Sequence, residues 1–194
     1  MKRLCAPALI VLFLLAGCGK KSANEYYAEA EGEFKAAKAA ADTLRDREGM
    51  AKLFEPALEG YLRLVEEYPD DPLAEEALFR TATIRNNEMR DPEQAVLSYK
   101  QYADRYPEAK RAPLATFLAG YLYHNELGRL DSAEAWYRRF LERYPQHEMA
   151  LSAQFELNSL GKLPEELLPA DSLRFEKQGV AAGSNTKKAA VGQH

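Results

Sequence analysis

The chain has 194 residues, which is room for one domain with extensions at its ends. Its formal net charge is -4 and it has no basic patch, so a nucleic-acid backbone is not expected as a partner. Gly and Pro concentrate at junctions between segments rich in Ala, Leu, Glu, Arg and Tyr, as in a helical domain. The only cysteines, Cys5 and Cys18, lie near the start, which excludes disulfides and cysteine-based metal sites from the rest of the chain.

The first eighteen residues have the order of a secretion signal. Lys2-Arg3 is basic, and Ala6 to Leu15 is an apolar run too short to cross a bilayer as a helix; small residues then precede Cys18. This order resembles a bacterial lipobox, which implies cleavage before the cysteine and acylation of it, for example with palmitate. We therefore predict a lipoprotein signal peptide at 1–17, lipidation of Cys18, and a short lipidated tether at 18–23. The alternative is an ordinary secretory signal with an incidental cysteine.

The residue after that cysteine bears on the location of the protein. It is Gly19, and by resemblance to enterobacterial lipoproteins the lack of aspartate there favours export to the outer membrane. Loss of the signal removes Lys2 and Arg3 and leaves 24 basic against 30 acidic residues, a mature charge of -6. Because this charge does not attract anionic lipid, the acyl chains must provide the membrane anchor. We predict a domain that faces the periplasm.

A first helix is predicted to run from a cap at Ser22 or Asn24 through about Arg47, because apolar residues recur every three or four positions. They are Tyr27, Ala30, Phe34, Ala37, Ala41 and Leu44. The same spacing satisfies a heptad, so a coiled coil is an alternative to the favoured first helix of a degenerate hairpin. Pro56 is expected in the first turn of the following helix.

From residue 57 to residue 161 the sequence repeats with a fixed period of 38. Tyr-Pro occurs at Tyr68-Pro69, Tyr106-Pro107 and Tyr144-Pro145. When the copies are aligned, seven positions, here called columns, are identical in all three. Two of them are the Tyr and the Pro just named. The other five are Ala57/Ala95/Ala133, Tyr61/Tyr99/Tyr137, Ala74/Ala112/Ala150, Ala77/Ala115/Ala153 and Phe79/Phe117/Phe155. A fixed period of this length indicates a solenoid built from one supersecondary unit.

The unit is predicted to be an antiparallel pair of helices, here called A and B. Helix B precedes Tyr-Pro, and capping boxes are expected to begin it at Asp91 and at Asp131. Its alanine lets the partner helix approach, its tyrosine fills the space between hairpins, and the proline ends it. Helix A follows the proline and packs through its alanine and phenylalanine columns. The fold class is therefore all-α, a helix-hairpin solenoid of about three pairs.

These residues resemble the tetratricopeptide repeat. An alanine lies twelve residues and a tyrosine eight residues before each of Pro69, Pro107 and Pro145, and Gly120 and Tyr123 match the helix-A pattern. The family period is 34 rather than 38. The longer period and the Tyr-Pro ends are more similar to the repeats of envelope proteins. Examples are the lipoprotein of the β-barrel assembly machinery (BamD-like) and the periplasmic factor associated with the Tol-Pal system. The resemblance implies a TPR-like domain over 24–161.

Two segments follow the repeats. Residues 162–175 contain several leucines and are predicted to be a short segment that caps the last hairpin. Residues 176–194 have no aromatic residue and are rich in Gly, Ser, Lys and Ala, which predicts a disordered tail.

No pattern in the sequence indicates an enzyme. His124, His147 and His194 have no second ligand at helical spacing, and no nucleophile elbow or phosphate loop is present. We therefore predict no catalytic residue, no metal, no cofactor and no small-molecule substrate.

The resemblance implies instead a concave surface lined by helix A. The residues that match the family's groove positions are Thr83, Asn86, Asn87, Phe117, Tyr121, His124 and Asn125. Amide side chains at equivalent positions of successive helices A can form hydrogen bonds with the backbone of an extended peptide. The alternative is that the phenylalanines pack between repeats, which we favour for them, and that the asparagines only end helices. For Tyr121, His124 and Asn125 both interpretations stay open.

The predicted function is a lipid-anchored, periplasm-facing scaffold that binds an envelope protein. A BamD-like role in outer-membrane protein assembly is its narrower form. An accessory factor of cell-wall synthesis or division and a subunit of an export or surface-attachment system are the alternatives.

Overall fold

The computed structural model describes residues 20–41, 47–162 and 166, and every regular element in these ranges is helical. The elements are α1 (Ala23–Ala41), α2 (Arg47–Glu67), α3 (Pro72–Asn87), α4 (Pro92–Arg105), α5 (Ala112–Tyr121), a π-helix (Leu122–Glu126), α6 (Leu130–Arg143) and α7 (Ala150–Ser159). The predicted signal peptide, Cys18, the tail and nearly all of the capping segment lie outside the described residues.

Helices that follow one another in the chain pack against one another. The hairpins are α1–α2, α3–α4 and α5–α6, and each hairpin packs on the next through α2–α3, α4–α5 and α6–α7. The predicted all-α solenoid of three hairpin pairs is confirmed. Helix α7 is a further helix A, and within the described ranges it has no helix B of its own.

The invariant columns form the core. The alanine column Ala57, Ala95 and Ala133 is completely buried, and so, to within a few per cent, is the tyrosine column. Each of these tyrosines meets a ring from helix A of its own hairpin at nearly the same distance. The pairs are Tyr27–Tyr61 at 5.7 Å, Phe79–Tyr99 at 5.8 Å and Phe117–Tyr137 at 5.7 Å between centroids. Tyr27 thus makes in the first hairpin the ring contact that Phe79 and Phe117 make in the later ones, and α1 packs as the first helix A rather than as a coiled coil.

The Tyr-Pro tyrosines link each loop to the preceding one. Tyr106 Oη donates a hydrogen bond to the carbonyl oxygen of Pro69 (3.2 Å), and Tyr144 Oη donates to that of Pro107 (3.0 Å). Tyr68 Oη donates in the same way to the carbonyl oxygen of Lys21. The sequence pattern assigned these tyrosines only to helix ends, yet their hydroxyl groups bridge successive hairpins.

The start of α2 differs from the prediction, because Pro56 lies inside the helix instead of in its first turn. A proline at an internal position removes one backbone hydrogen bond and costs about 3 kcal/mol in an exposed helix. Phe54 lies on the added turns, is completely buried and packs against Phe34 with ring centroids 5.9 Å apart. Burial of this ring offsets the cost of the proline and extends α2 towards its N-terminus.

The start of α6 also differs from the prediction. Asp91 does cap α4, since its Oδ1 accepts a hydrogen bond from the backbone N–H of Gln94 (3.1 Å). Asp131 instead lies in the first turn of α6, whose N-cap is Arg129 without a side-chain cap. Arg129 lies one full period after Asp91. The start of helix B therefore follows the period of the packed core and not the nearest capping side chain.

Candidate protein-binding surface

The helix-A face is formed by α1, α3, α5 with its π-helix, and α7. Polar side chains join these helices in succession. Arg80 of α3 pairs with Glu31 of α1, and Arg111 at the start of α5 pairs with Glu76 of α3. His124 Nδ1 in the π-helix lies 3.3 Å from Glu156 Oε2 of α7. Each step along the face is therefore held by a polar contact between neighbouring copies of helix A.

Glu31 is the most highly connected of these groups. Arg80 Nε donates to its Oε1 (3.0 Å), and Tyr61 Oη donates to the same oxygen. Partial burial acts to raise the pKa of Glu31, but the hydrogen bonds from Tyr61 and Arg80 outweigh it and lower the pKa below 4.5. A lowered pKa means that this carboxylate stabilises the fold above its unfolded pKa, and that the contribution is lost as the pH falls through the folded value.

Tyr137, in the same column as Tyr61, has a different environment. Its Oη is buried and makes no hydrogen bond of normal geometry with the described residues, although the Glu156 carboxylate lies close to it, and burial raises the pKa of the phenol. The nearby negative charge of Glu156 on α7 raises that pKa further, while the Glu156 carboxylate itself contacts His124. A buried hydroxyl group without a partner costs about 1–3 kcal/mol.

We expect the two tyrosine-to-phenylalanine substitutions in this column to have opposite signs. Tyr137→Phe removes an unsatisfied hydroxyl group, so the free energy of unfolding should rise by about 1 kcal/mol. Tyr61→Phe is the matched control: it removes the hydrogen bond to Glu31 and should lower the free energy of unfolding by about 1–2 kcal/mol, since the acceptor is charged. Urea denaturation of both variants measures this, and a destabilised Tyr137→Phe would contradict the assignment.

Three of the predicted groove residues lie near the C-terminal end of α3. Thr83 is partly buried, and its Oγ1 donates to the carbonyl oxygen of Phe79 (3.0 Å). Asn86 Nδ2 donates to Asn87 Oδ1 (2.9 Å). Asn87 is exposed, as is Asn125 in the same column of the next copy. The structure therefore keeps this pair of amides at the surface, one on each of two neighbouring helices A.

Phe117 lies between the two helices of its hairpin. Its ring is partly buried and contacts Tyr137 and Phe140 of α6, with centroids 5.7 and 6.1 Å apart. Phe79 makes the equivalent contacts with Tyr99 and Tyr102. Both rings therefore pack within a hairpin, whereas the interpretation favoured from the sequence had them packing between repeats.

Tyr121, His124 and Asn125 lie where α5 widens into the π-helix. Tyr121 is the last residue of α5 and is 39% exposed. Asn125 Nδ2 donates to the carbonyl oxygen of Tyr121 (3.2 Å), which stabilises the wide turn. In this turn the backbone N–H of Leu127 bonds the carbonyl oxygen of Leu122 (3.0 Å), five residues earlier. Single π-turns of this kind are frequent at functional sites.

An apolar stripe on the same helix was not predicted from the sequence. Leu114, Leu118 and Tyr121 are spaced by four and then three residues along α5 and so share one side of it. Leu114 is 36% exposed and Leu118 is partly buried. The signal for this stripe was available, because these residues precede and follow the packing residue Phe117 at helical spacing. The spacing places these residues on one side of the helix but does not show that this side stays exposed, so the stripe was not predicted.

The arrangement suits contact with a protein chain. The helix-A face carries a short apolar stripe on α5, exposed amides at Asn87 and Asn125, and charged pairs such as Arg80–Glu31. Apolar side chains of an extended partner can contact the stripe, while its backbone groups meet the amides.

Over the described residues, no cluster of His, Cys, Asp or Glu could hold a metal ion. In those same ranges no helix has the length and apolar character needed to cross a bilayer.

A family model described as tetratricopeptide repeat matches residues 76–109 and 115–147. These two stretches are similar to tetratricopeptide repeats. Among curated proteins, none matches this sequence significantly. The two matched stretches correspond to the hairpins α3–α4 and α5–α6, and the hairpin α1–α2 packs in the same way outside them. Tetratricopeptide repeats are protein-interaction scaffolds and are typically not catalytic, so the repeat array supports a role in binding proteins.

Proposed function

We propose that the protein is a lipid-anchored scaffold of the bacterial envelope, facing the periplasm from the outer membrane, which binds a protein partner through its helix-A face. The binding part of the proposal is supported by the stripe Leu114, Leu118 and Tyr121, whose two end residues are exposed, and by the exposed amides Asn87 and Asn125 of neighbouring repeats. The proposed location is supported by the order of basic, apolar and small residues before Cys18. A role in outer-membrane protein assembly, as in BamD-like lipoproteins, is its narrower form.

The start of the described chain is compatible with an anchor at Cys18. Lys20 pairs with Glu67 (2.6 Å), and its Nζ lies 4.9 Å from the centroid of the Tyr68 ring. Tyr68 also holds the backbone of Lys21 through its hydroxyl group. Only Gly19 separates Cys18 from Lys20 in the sequence, so an acyl group on Cys18 would be attached two residues before the first described residue. The anchor would therefore hold the edge that contains the Tyr-Pro loops closest to the lipid surface.

The binding surface is tested by photocrosslinking in living cells. A photoreactive amino acid in place of Tyr121 should capture an envelope protein, and Leu114→Asp in the same chain should abolish the capture by placing a charge on the stripe. A photoreactive residue in place of Ala135, which is exposed on α6, is the control. Capture of a barrel-assembly subunit supports the narrower role. No capture from position 121, or the same products from position 135, would contradict binding through this face.

Cys18→Ala tests the anchor independently. The variant should lose incorporated acyl label and appear in the soluble envelope fraction, because no acyl chains remain to hold it. Cys5→Ala is the matched control and should keep both label and membrane association, since Cys5 belongs to the predicted signal peptide. A Cys18→Ala protein that still carries label and still sediments with membranes would disprove the lipidation.

A further inference from the structure

The helices B form the other side of the solenoid, and an open groove of about 450 Å³ lies along the first of them, α2. Six side chains of α2, from Glu55 to Glu66, line this groove together with Arg85 of α3. We name it the Arg85 groove. Its apolar part is provided by Leu58, which is buried, and by Leu62, which is partly buried.

Arg85 is a partly buried cation that forms no salt bridge with the described residues. Its Nη1 donates a hydrogen bond to Ser98 Oγ of α4 (2.6 Å). Burial lowers the pKa of its guanidinium, and the nearby charge of Asp91 opposes this effect while the Asp91 carboxylate caps α4. A guanidinium in such a place offers a flat face to the groove, and aromatic rings stack on faces of this kind.

The next copy of the repeat shows a cation packed with rings at the equivalent positions. The residues one period after Leu62, Arg85 and Ser98 are Lys100, Tyr123 and Trp136. The Nζ of Lys100 lies 5.8 Å from the centroids of both the Tyr123 and the Trp136 rings. Both rings are buried to within a few per cent. A cation and two aromatic rings therefore fill this part of the second copy.

The Arg85 groove has the cation but not the rings. Ser98 occupies the column of Trp136, and its small side chain is buried beneath the Arg85 guanidinium. Leu62 replaces the lysine of the next copy, so the cation and the apolar side chain have exchanged columns. The space that an indole ring fills in the second copy is therefore left open in the first.

Carboxylates lie at the two ends of the groove. Glu55 and Glu66 are exposed and form no salt bridge with the described residues, whereas Glu59 between them pairs with Arg63 (2.7 Å). Glu55 and Glu66 are eleven residues apart, which corresponds to about 16 Å along α2. Basic groups at this separation would complement both ends.

We propose that the Arg85 groove binds a segment of a protein partner in which one aromatic residue lies between two basic residues. The ring would stack on the Arg85 guanidinium and contact Leu58 and Leu62, and the basic side chains would pair with Glu55 and Glu66. The partner would thus provide the ring that α6 provides in the next copy. This surface is separate from the helix-A face, so the proposal depends neither on lipidation nor on the partner proposed above.

Titration of the purified protein with the peptide acetyl-Lys-Ala-Trp-Ala-Lys-amide tests the proposal. Its two lysines lie about 13 Å apart in an extended chain, and their side chains span the remaining distance to the two carboxylates. We expect a saturable ring-current shift of the Arg85 Nε–Hε signal in nuclear magnetic resonance spectra. Peptides with glutamate for both lysines, or with alanine for tryptophan, should bind at least about tenfold more weakly. No shift at Arg85, or equal binding of the glutamate peptide, would overturn the proposal.

Two variants test the assigned contacts with the same peptide. Arg85→Gln should weaken binding at least about tenfold, because the ring loses its cation. Glu55→Gln combined with Glu66→Gln changes only exposed side chains, so the fold is kept, and affinity at low salt should fall about fivefold. Lys100→Gln is the matched control in the next copy and should leave the affinity unchanged. Unchanged affinity in the double variant would contradict the proposal whatever the stability of Arg85→Gln.

A photoreactive residue in place of Leu62 identifies the natural occupant in cells. Mass spectrometry of the crosslinked product should show a segment of another protein with an aromatic residue between lysines or arginines. A crosslink to this chain itself, or to a second copy of it, would overturn the proposal. A captured segment without such an aromatic residue would also contradict it.

Discussion

Replacing Ala95 with tryptophan is expected to unfold the helical array. Ala95 is completely buried at the start of α4, in the column that allows helices A and B to approach closely. An indole ring has no space there, and overpacking of this size should cost more than the ~3 kcal/mol typical of smaller insertions. We expect loss of the cooperative thermal transition in circular dichroism.

Ala135→Trp is the matched control for this substitution. Ala135 is in the equivalent part of α6, but its side chain is exposed. The same change in size should therefore alter the free energy of unfolding by no more than about 0.5 kcal/mol. An Ala95→Trp protein with an unchanged melting curve would refute the packing assigned to the alanine column.

Phe140→Ala is expected to have the next largest effect. Phe140 is completely buried in α6, and its ring meets Phe117, Tyr144 and His147 at centroid distances of 6.1, 5.6 and 5.9 Å. Truncation leaves a cavity between the hairpin and the third Tyr-Pro loop, at a cost of about 3–5 kcal/mol. For a chain of this size the melting temperature should fall by about 10 °C.

Leu97→Ala is the control for this second substitution. Leu97 lies on α4 and is 51% exposed, so its truncation leaves no enclosed cavity. We expect a loss below about 1 kcal/mol. If both truncations cost the same, the core would not be centred on the helix-B column, and the solenoid packing described above would need revision.

The periodicity was sufficient to predict most of the fold. The positions of Ala95, Tyr99 and Pro107 within their copy specify where helices approach, where a ring fills the space and where helix B ends. These are local requirements of steric packing and backbone geometry, so they appear in the sequence as identical columns. The prediction was wrong where the start of a helix was inferred from a single side chain. Pro56 and Asp131 both suggested helix starts, and in each case packing of the surrounding copy decided otherwise.

The binding surface was less predictable than the fold. Thr83, Asn86 and Tyr121 were proposed from family positions, and the structure places them on the helix-A face without testing their role. The apolar stripe through Leu114 and Leu118 was not identified, because an exposed leucine and a buried leucine cannot be distinguished by spacing alone. Their exposure depends on which neighbouring helix lies above them, and that is a property of the assembled array.

The sequence by itself determined the repeat, its period and its hairpin architecture, because close approach, ring filling and helix termination each require one type of residue at one position. Only the tertiary structure decided how the copies are joined. The bonds from Tyr106 and Tyr144 to preceding loops and the pair Arg80–Glu31 each join residues from different elements. Such contacts depend on the distances between packed helices, which a linear pattern does not contain.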